Sequence, residues 1–312
     1  MTGYQWYTER NWARTRALRN LFWAATRKLL KWRILRIRSG HYYSPVPSVK
    51  ELRRDAKRVF DRSLRDLQGV ELNEPAQLAL LAQFATFYEE QPFSEAPRDD
   101  IRYFFDNDWF GHADALFLYS FIRLFRPCRI IEIGSGFSSA VMLDTNERFM
   151  DRSMRLTFIE PDSARLRRLL TEEDHDSVTI VERRIQDLDR GIVDQLVAND
   201  ILFIDSSHVS KAGSDVNHIL FELLPRLVPG VLIHFHDILY PFEYPLQLFQ
   251  QGLSWNEPYV VRAFLQYNSK FPIRFWNDFM MTFHTEAIRK LMPLCADRPS
   301  YGVGGSLWLQ KA

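Results

Sequence analysis

The 312 residues are 46% hydrophobic and 25% charged, with a formal net charge of +1 and neither a repeat nor a low-complexity tract. That balance belongs to a globular chain with room for one large domain and an extension. Two distant cysteines, Cys128 and Cys295, exclude a disulfide framework and a cysteine zinc site and point to a reducing, cytoplasmic setting, while no apolar run approaches the roughly 18 residues of a membrane span.

The charge is unevenly spread. Ten Arg and Lys residues between Arg10 and Arg38 face a single acid, Glu9. Leu18, Leu21, Phe22, Ala25, Leu29 and Trp32 recur among them at helical spacing. Such a basic amphipathic helix suits peripheral contact with an anionic membrane through residues 1–40; a solvated helix with one packed stripe is the more ordinary reading. The arm carries no nucleic-acid motif, and no nucleic acid is expected as partner.

Ser44-Pro-Val-Pro47 ends the arm. Three regions are expected: a basic arm over 1–45, a helical extension or cap over 46–115, and the main domain over 116–312. In the extension, Ser48 should cap a helix over Lys50–Leu67, and Asn73 followed by Glu74-Pro75 should start one that runs to about Glu90. The aromatic stretch Tyr103–Phe110 either closes over a pocket or packs as a turn, and packing is favoured.

A helix over Asp114–Phe125 leads into an alternation of strand and helix. Strands are expected at 129–133, 156–159, 178–181, 201–204, 230–235, 272–277 and 305–310. Helices are expected near 138–149, 162–171, 191–198, 213–227, 257–267 and 284–294. Apolar, β-branched strands in this alternation predict an α/β fold with a Rossmann-like, doubly wound, mostly parallel seven-stranded sheet and an N-terminal helical extension. Gly302-Val-Gly-Gly305 reads as a turn, because it lacks the strand-loop-helix setting of a phosphate loop.

The chemistry gathers at strand ends, which line the ligand crevice of an open parallel sheet. The first strand runs into Glu132-Ile-Gly134-Ser135-Gly136, and Ser138 or Ser139 is placed to cap the next helix. A glycine loop there is a nucleotide-type cofactor site. The second strand ends at Glu160, whose carboxylate suits the vicinal hydroxyls of a ribose. Asp187 follows the third strand and reads equally well as a helix cap. The fourth delivers Asp205-Ser-Ser-His208 and the fifth His236-Asp237, enough oxygen and nitrogen donors for a divalent cation. His234 reads as a hydrogen-bonded core histidine. Trp255–Tyr259 opens a helix beside the crevice and is expected to pack rather than to bind substrate.

Serine stands where the third glycine of a dinucleotide loop would be. The acid before the glycines and the serines after them instead resemble motif I of class I S-adenosylmethionine-dependent methyltransferases. The acids at strands four and five resemble those of cation-dependent O-methyltransferases and their sugar-modifying relatives. That resemblance covers about residues 115–312. It implies S-adenosylmethionine at Glu132, Gly134, Ser135, Gly136, Ser138, Ser139, Glu160 and Asp187. It also implies Mg or Mn held by Asp205, His236 and Asp237, with His208 as base for a small-molecule or sugar hydroxyl. His236 departs from the pattern, where relatives carry an acid. A nicotinamide-dependent oxidoreductase, or a membrane-surface module with a non-catalytic cofactor domain, remains the alternative.

Overall fold

The computed structural model describes residues 37–296 and 305–312. The basic arm, apart from its last few residues, and most of the glycine turn at 302–305 lie outside them. The chain divides into Met1–Ala56 and Lys57–Ala312. In the first unit a short helix, Val49–Arg54, is capped by Ser48, whose hydroxyl accepts from the Glu51 amide at 3.3 Å. The helix expected over Lys50–Leu67 is therefore much shorter. Only one further turn, Ala56–Val59, follows, and none of the residues of either helix is buried, so no tertiary packing extends them.

The second unit is built on seven strands: β1 (Arg129–Ile133), β2 (Arg155–Ile159), β3 (Val178–Val181), β4 (Ile201–Ile204), β5 (Leu232–Phe235), β6 (Ile273–Trp276) and β7 (Leu307–Gln310). Their order is β3-β2-β1-β4-β5-β7-β6, parallel through β5, with β7 antiparallel to both β5 and β6. Every residue of β4 and β5 is buried. Successive side chains point to opposite faces, so both faces of the sheet are covered there. The sequence reading of this sheet holds, strand for strand.

The helices are more broken than their periodicity predicts. The one expected over 162–171 is a single turn, Ala164–Arg167, and that over 191–198 is 3₁₀ (Arg190–Gln195). The segment 213–227 passes from α (Asp215–His218) through a π turn (Ile219–Leu223) to 3₁₀ at Leu224–Arg226, where Pro225 cannot donate. Four longer helices matter for the site: α1 (Glu74–Phe84), α2 (His112–Phe125), α3 (Phe137–Phe149) and α4 (Glu257–Leu265). Asn73 precedes α1 as expected, but its side chain makes no cap bond; it donates to the Ile273 carbonyl at 3.2 Å instead.

One half-buried arginine ties the aromatic stretch to the sheet's first helix. Arg102 Nη1 bonds Asp144 Oδ1 (2.9 Å) and Glu147 Oε2 (2.8 Å) on α3, and Nη2 bonds Asp174 Oδ2 (2.9 Å). The Asp144 carboxylate also accepts the amides of Arg102 and Tyr103. Tyr103 is fully buried, with its ring edge-on to Phe93, so this stretch packs as a turn. Arg102→Ala strands a buried carboxylate and is expected to lower stability by about 3 kcal/mol in urea denaturation. A loss under about 1 kcal/mol would mean that solvent reaches Asp144.

Candidate active site

Backbone bonds running past the strand ends set the site. Gly134 N–H donates to the Ile159 carbonyl (3.0 Å), Asp205 N–H to Ile133 (2.9 Å) and His236 N–H to Ile204 (2.8 Å). The glycine loop, the first residue after β4 and the first after β5 are thereby aligned side by side. Gly134 lies at φ +85°, and a Cβ there would stand 2.0 Å from the Asp205 carbonyl oxygen. The neighbouring strand end, rather than a ligand, is what demands glycine at this position.

The loop is braced from beneath. Glu132 is completely buried and accepts the hydroxyls of Ser138 and Ser139, each at 2.5 Å. The sequence reading had Ser138 or Ser139 capping this helix, and Ser139 does so from its first turn. Both lie within α3, and Ser139 Oγ accepts the Gly136 amide at 3.1 Å. Ser135 is buried, and its amide donates to Glu160 Oε2 (3.1 Å). Its carbonyl accepts from Arg165 Nη2 (2.5 Å). Asp187 lies apart from this group, in an exposed ion pair with Arg184.

Across the crevice the acids and imidazoles form a closed ring of four. His208 Nε2 faces Asp205 Oδ1 at 3.5 Å and Asp237 Oδ2 at 3.6 Å. His236 Nδ1 faces the same two oxygens at 3.5 and 3.8 Å. Each imidazole also has a carboxylate on its outer nitrogen: Glu257 at 2.8 Å from His208 Nδ1, and Asp114 at 3.8 Å from His236 Nε2. His208 and Asp237 sit at φ +59° and +56°. This is a left-handed conformation uncommon for non-glycine residues, though less so for His and Asp. The amides of Asn256, just before α4, and Glu257, its first residue, donate to the His208 carbonyl, which brings Glu257 beside its ring.

Residues 131–238 match a family described as a methyltransferase domain. An uncharacterized protein of Archaeoglobus fulgidus is 34% identical over 166 residues, covering 52% of this chain and 74% of that one. The chain belongs to the methyltransferases. Among solved structures, the methyltransferase is similar to an S-adenosylhomocysteine-bound methyltransferase of Podospora anserina, at 13% identity and TM-score 0.43, covering 75% of this chain and 88% of that one. It is also similar to TomG of Streptomyces achromogenes, an O-methyltransferase of tomaymycin synthesis solved with S-adenosylmethionine, at 18%, 0.38, 72% and 90%. CmcI, solved with Mg and S-adenosylmethionine, stands at 17%, 0.39, 70% and 82%. The family match is to a methyltransferase domain, not to a nicotinamide-dependent oxidoreductase.

Two buried acids of the methyltransferase's site escape a reading of the sequence. Glu257 lies in the stretch assigned to aromatic packing, and the packing is real: Trp255 lies 4.6 Å from the His208 ring, centroid to centroid. The acid beside it is 1% exposed. Asp114 is the one acid in a helix otherwise buried from Ala113 to Ile122, and such isolation was the available signal. His234 is the core histidine expected, bonded to Ser306 Oγ at 2.8 Å.

Burial alone would raise Asp205, but the His236 and His208 charges outweigh it and hold the carboxyl far below its usual range. Burial opposes charge on His208 too, yet its bonds to Asp205 and Glu257 and the surrounding carboxylates raise it to about 10. Against the same burial, Asp237 and Asp205 raise His236 well above neutrality. These directions describe the ring without a cation. Among the described residues no group of three or more His, Cys, Asp or Glu forms a ready-made metal site. The ring's 3.5–3.8 Å edges nevertheless come within a few tenths of an ångström of the tetrahedral ligand spacing of about 3.4 Å for bonds of about 2.1 Å, and exceed the octahedral spacing of about 3.0 Å by about half an ångström or more. Two acids and two imidazoles so spaced suit a divalent ion in donor type.

Burial pushes Glu132 up to about 8, against its two serine bonds. Its folded value then exceeds the usual 4.5, so between these pH values the unfolded chain holds fewer protons than the folded one. The contribution of Glu132 to stability is full below about pH 4.5 and falls toward pH 8, by at most about 1.4 kcal/mol per unit. Urea midpoints of wild type and Glu132→Gln, taken at pH 5 and pH 8, should diverge in the variant's favour at the higher pH. A constant gap would mean that Glu132 is already ionised at pH 5.

Proposed function

We propose that the protein methylates a hydroxyl of a small molecule or sugar, with His208 as base and a divalent cation at Asp205, His236 and Asp237. The observation that carries this reading is the ring of four. With Nδ1–H donating to Glu257, the lone pair on His208 Nε2 points between two carboxylate oxygens. His236 does the same from the other side. Two lone pairs aimed at two negative charges call for positive charge between them. Either both imidazoles are protonated or a cation sits there.

A bound divalent cation would lower the pKa of an acceptor hydroxyl and orient it. It would also return His208 to the neutral form that a base requires. His208 Nε2 then takes the hydroxyl proton as the oxygen attacks the sulfonium methyl. The carbon–oxygen bond forms as the carbon–sulfur bond breaks, and the sulfur keeps the electron pair as S-adenosylhomocysteine. Glu257 fixes the tautomer and steadies the imidazolium. Glu132 and the loop at Gly134, Ser135 and Gly136, with Ser138 and Ser139 behind it, hold the donor, and Glu160 is offered to its ribose. The exposed Asp187, paired with Arg184, is the weakest of the cofactor assignments. Residues 46–115 we read as the cap of this domain.

Labelled-methyl transfer to a panel of hydroxylated small molecules, beside calorimetry with S-adenosylhomocysteine, tests the reading. His208→Ala is expected to lower turnover 10²–10⁴-fold, and Glu257→Gln about tenfold or more, with cofactor affinity unchanged in both. Chelation should abolish turnover, and added divalent ion should restore it. Full turnover by His208→Ala would remove the base from the mechanism; full turnover under chelation would remove the cation.

A further inference from the structure

We propose that Asp114 positions His236 as a nitrogen ligand and thereby fits the cation site to a first-row transition ion rather than to Mg²⁺. The inference rests on the cation reading above and extends it to the choice of ion.

A directional chain of hydrogen bonds leads to Asp114, whose free oxygen faces His236. Ser306 Oγ donates to Asp114 Oδ1 at 2.6 Å, and a hydroxyl has a single proton. Its contact with His234 Nε2 at 2.8 Å must therefore be donated by the histidine. Asn277 Nδ2 adds a second donor to the same Asp114 oxygen at 2.9 Å. All four residues are buried. With Oδ1 occupied, Asp114 has Oδ2 left, and this oxygen faces His236 Nε2 at 3.8 Å. The carboxylate favours the proton on Nε2, so the lone pair of Nδ1 turns toward Asp205 and Asp237. A carboxylate behind the outer nitrogen is the usual support of a metal-bound imidazole. Phe110, 5.3 Å away between ring centres, packs against the same ring.

The donor set that results is two carboxylate oxygens and one imidazole nitrogen. Mg²⁺ strongly prefers oxygen donors in near-ideal octahedral geometry, whereas Mn²⁺, Fe²⁺, Co²⁺ and Zn²⁺ accept imidazole. The spacing agrees, since 3.5–3.8 Å is closer to the tetrahedral value of about 3.4 Å than to the octahedral value of about 3.0 Å. His208, at the fourth corner, is left to face the open position.

The test uses the metal-free full chain with MnCl₂ or MgCl₂ alone, read by calorimetry and, for Mn²⁺, by pulsed electron paramagnetic resonance. The expected spectrum shows nitrogen coupling that His208→Ala keeps and His236→Glu loses. His236→Glu, which supplies a third oxygen, should narrow the preference for Mn²⁺ over Mg²⁺. Asp114→Asn should weaken Mn²⁺ binding 10- to 100-fold, with S-adenosylhomocysteine affinity unchanged; a purely structural Asp114 would leave the ion preference unmoved. If Asp114→Asn does not fold, the His236→Glu comparison decides. Absence of nitrogen coupling in the wild type, or Mg²⁺ bound as tightly as Mn²⁺, overturns the inference. So does failure of both ions to bind, and in that case cofactor calorimetry and the methyl-transfer assay still judge the methyltransferase reading separately.

Discussion

The carbonyl oxygen of Asp205 fills the space that a side chain on residue 134 would need. That contact locks the end of β4 against the loop after β1, and the two halves of the site depend on it. On one side stand Glu132, the serines and Glu160. On the other stand Asp205, His208, His236 and Asp237. Methyl transfer needs donor and acceptor held in line within a few tenths of an ångström. A backbone-to-backbone contact is suited to that, because it cannot change rotamer.

Both halves rest on carboxylates in unlike surroundings. Glu132 is dry and neutral over much of the ordinary pH range, and works as a brace that accepts two serine hydroxyls. Asp205 is held ionised by the imidazoles around it. The same functional group thus serves as scaffold in one place and as charged partner in the other, and what differs is whether a positive group stands within reach. Asp114 and Glu257 extend the pattern outward, each buried and each directed at the far nitrogen of an imidazole.

The strands and the glycine loop were legible because β-branched runs and glycine spacing are local signals. So were Asp205, His208, His236 and Asp237, because parallel strands all deliver their ends to one rim. The helices between strands were legible in place but not in kind: their period says that a face is apolar, not whether a π turn or Pro225 will interrupt the ladder. The side-chain cap of Asn73 failed for a different reason: its amide found a partner far along the chain, the Ile273 carbonyl, whereas Ser138 and Ser139 both bond the nearby Glu132 and Ser139 also accepts the Gly136 amide. Asp114 and Glu257 reach the site only through tertiary packing. Asp114 meets Ser306 across 192 positions of sequence, and no window over the sequence contains both.

The antiparallel insertion of β7 between β5 and β6 bears on the order in which this molecule comes to exist. The backbone beside Asp237 is pressed against Gly305, where a Cβ would lie 2.7 Å from its Cα, and Ser306 supplies one of the protons that hold Asp114. On the ribosome these residues emerge after every other strand of the sheet. Until they arrive β5 has an open edge, and the acids and imidazoles have no fixed arrangement. Long-range closure of this kind is slow. In the nascent chain the glycine loop can form well before the ring of acids and imidazoles does.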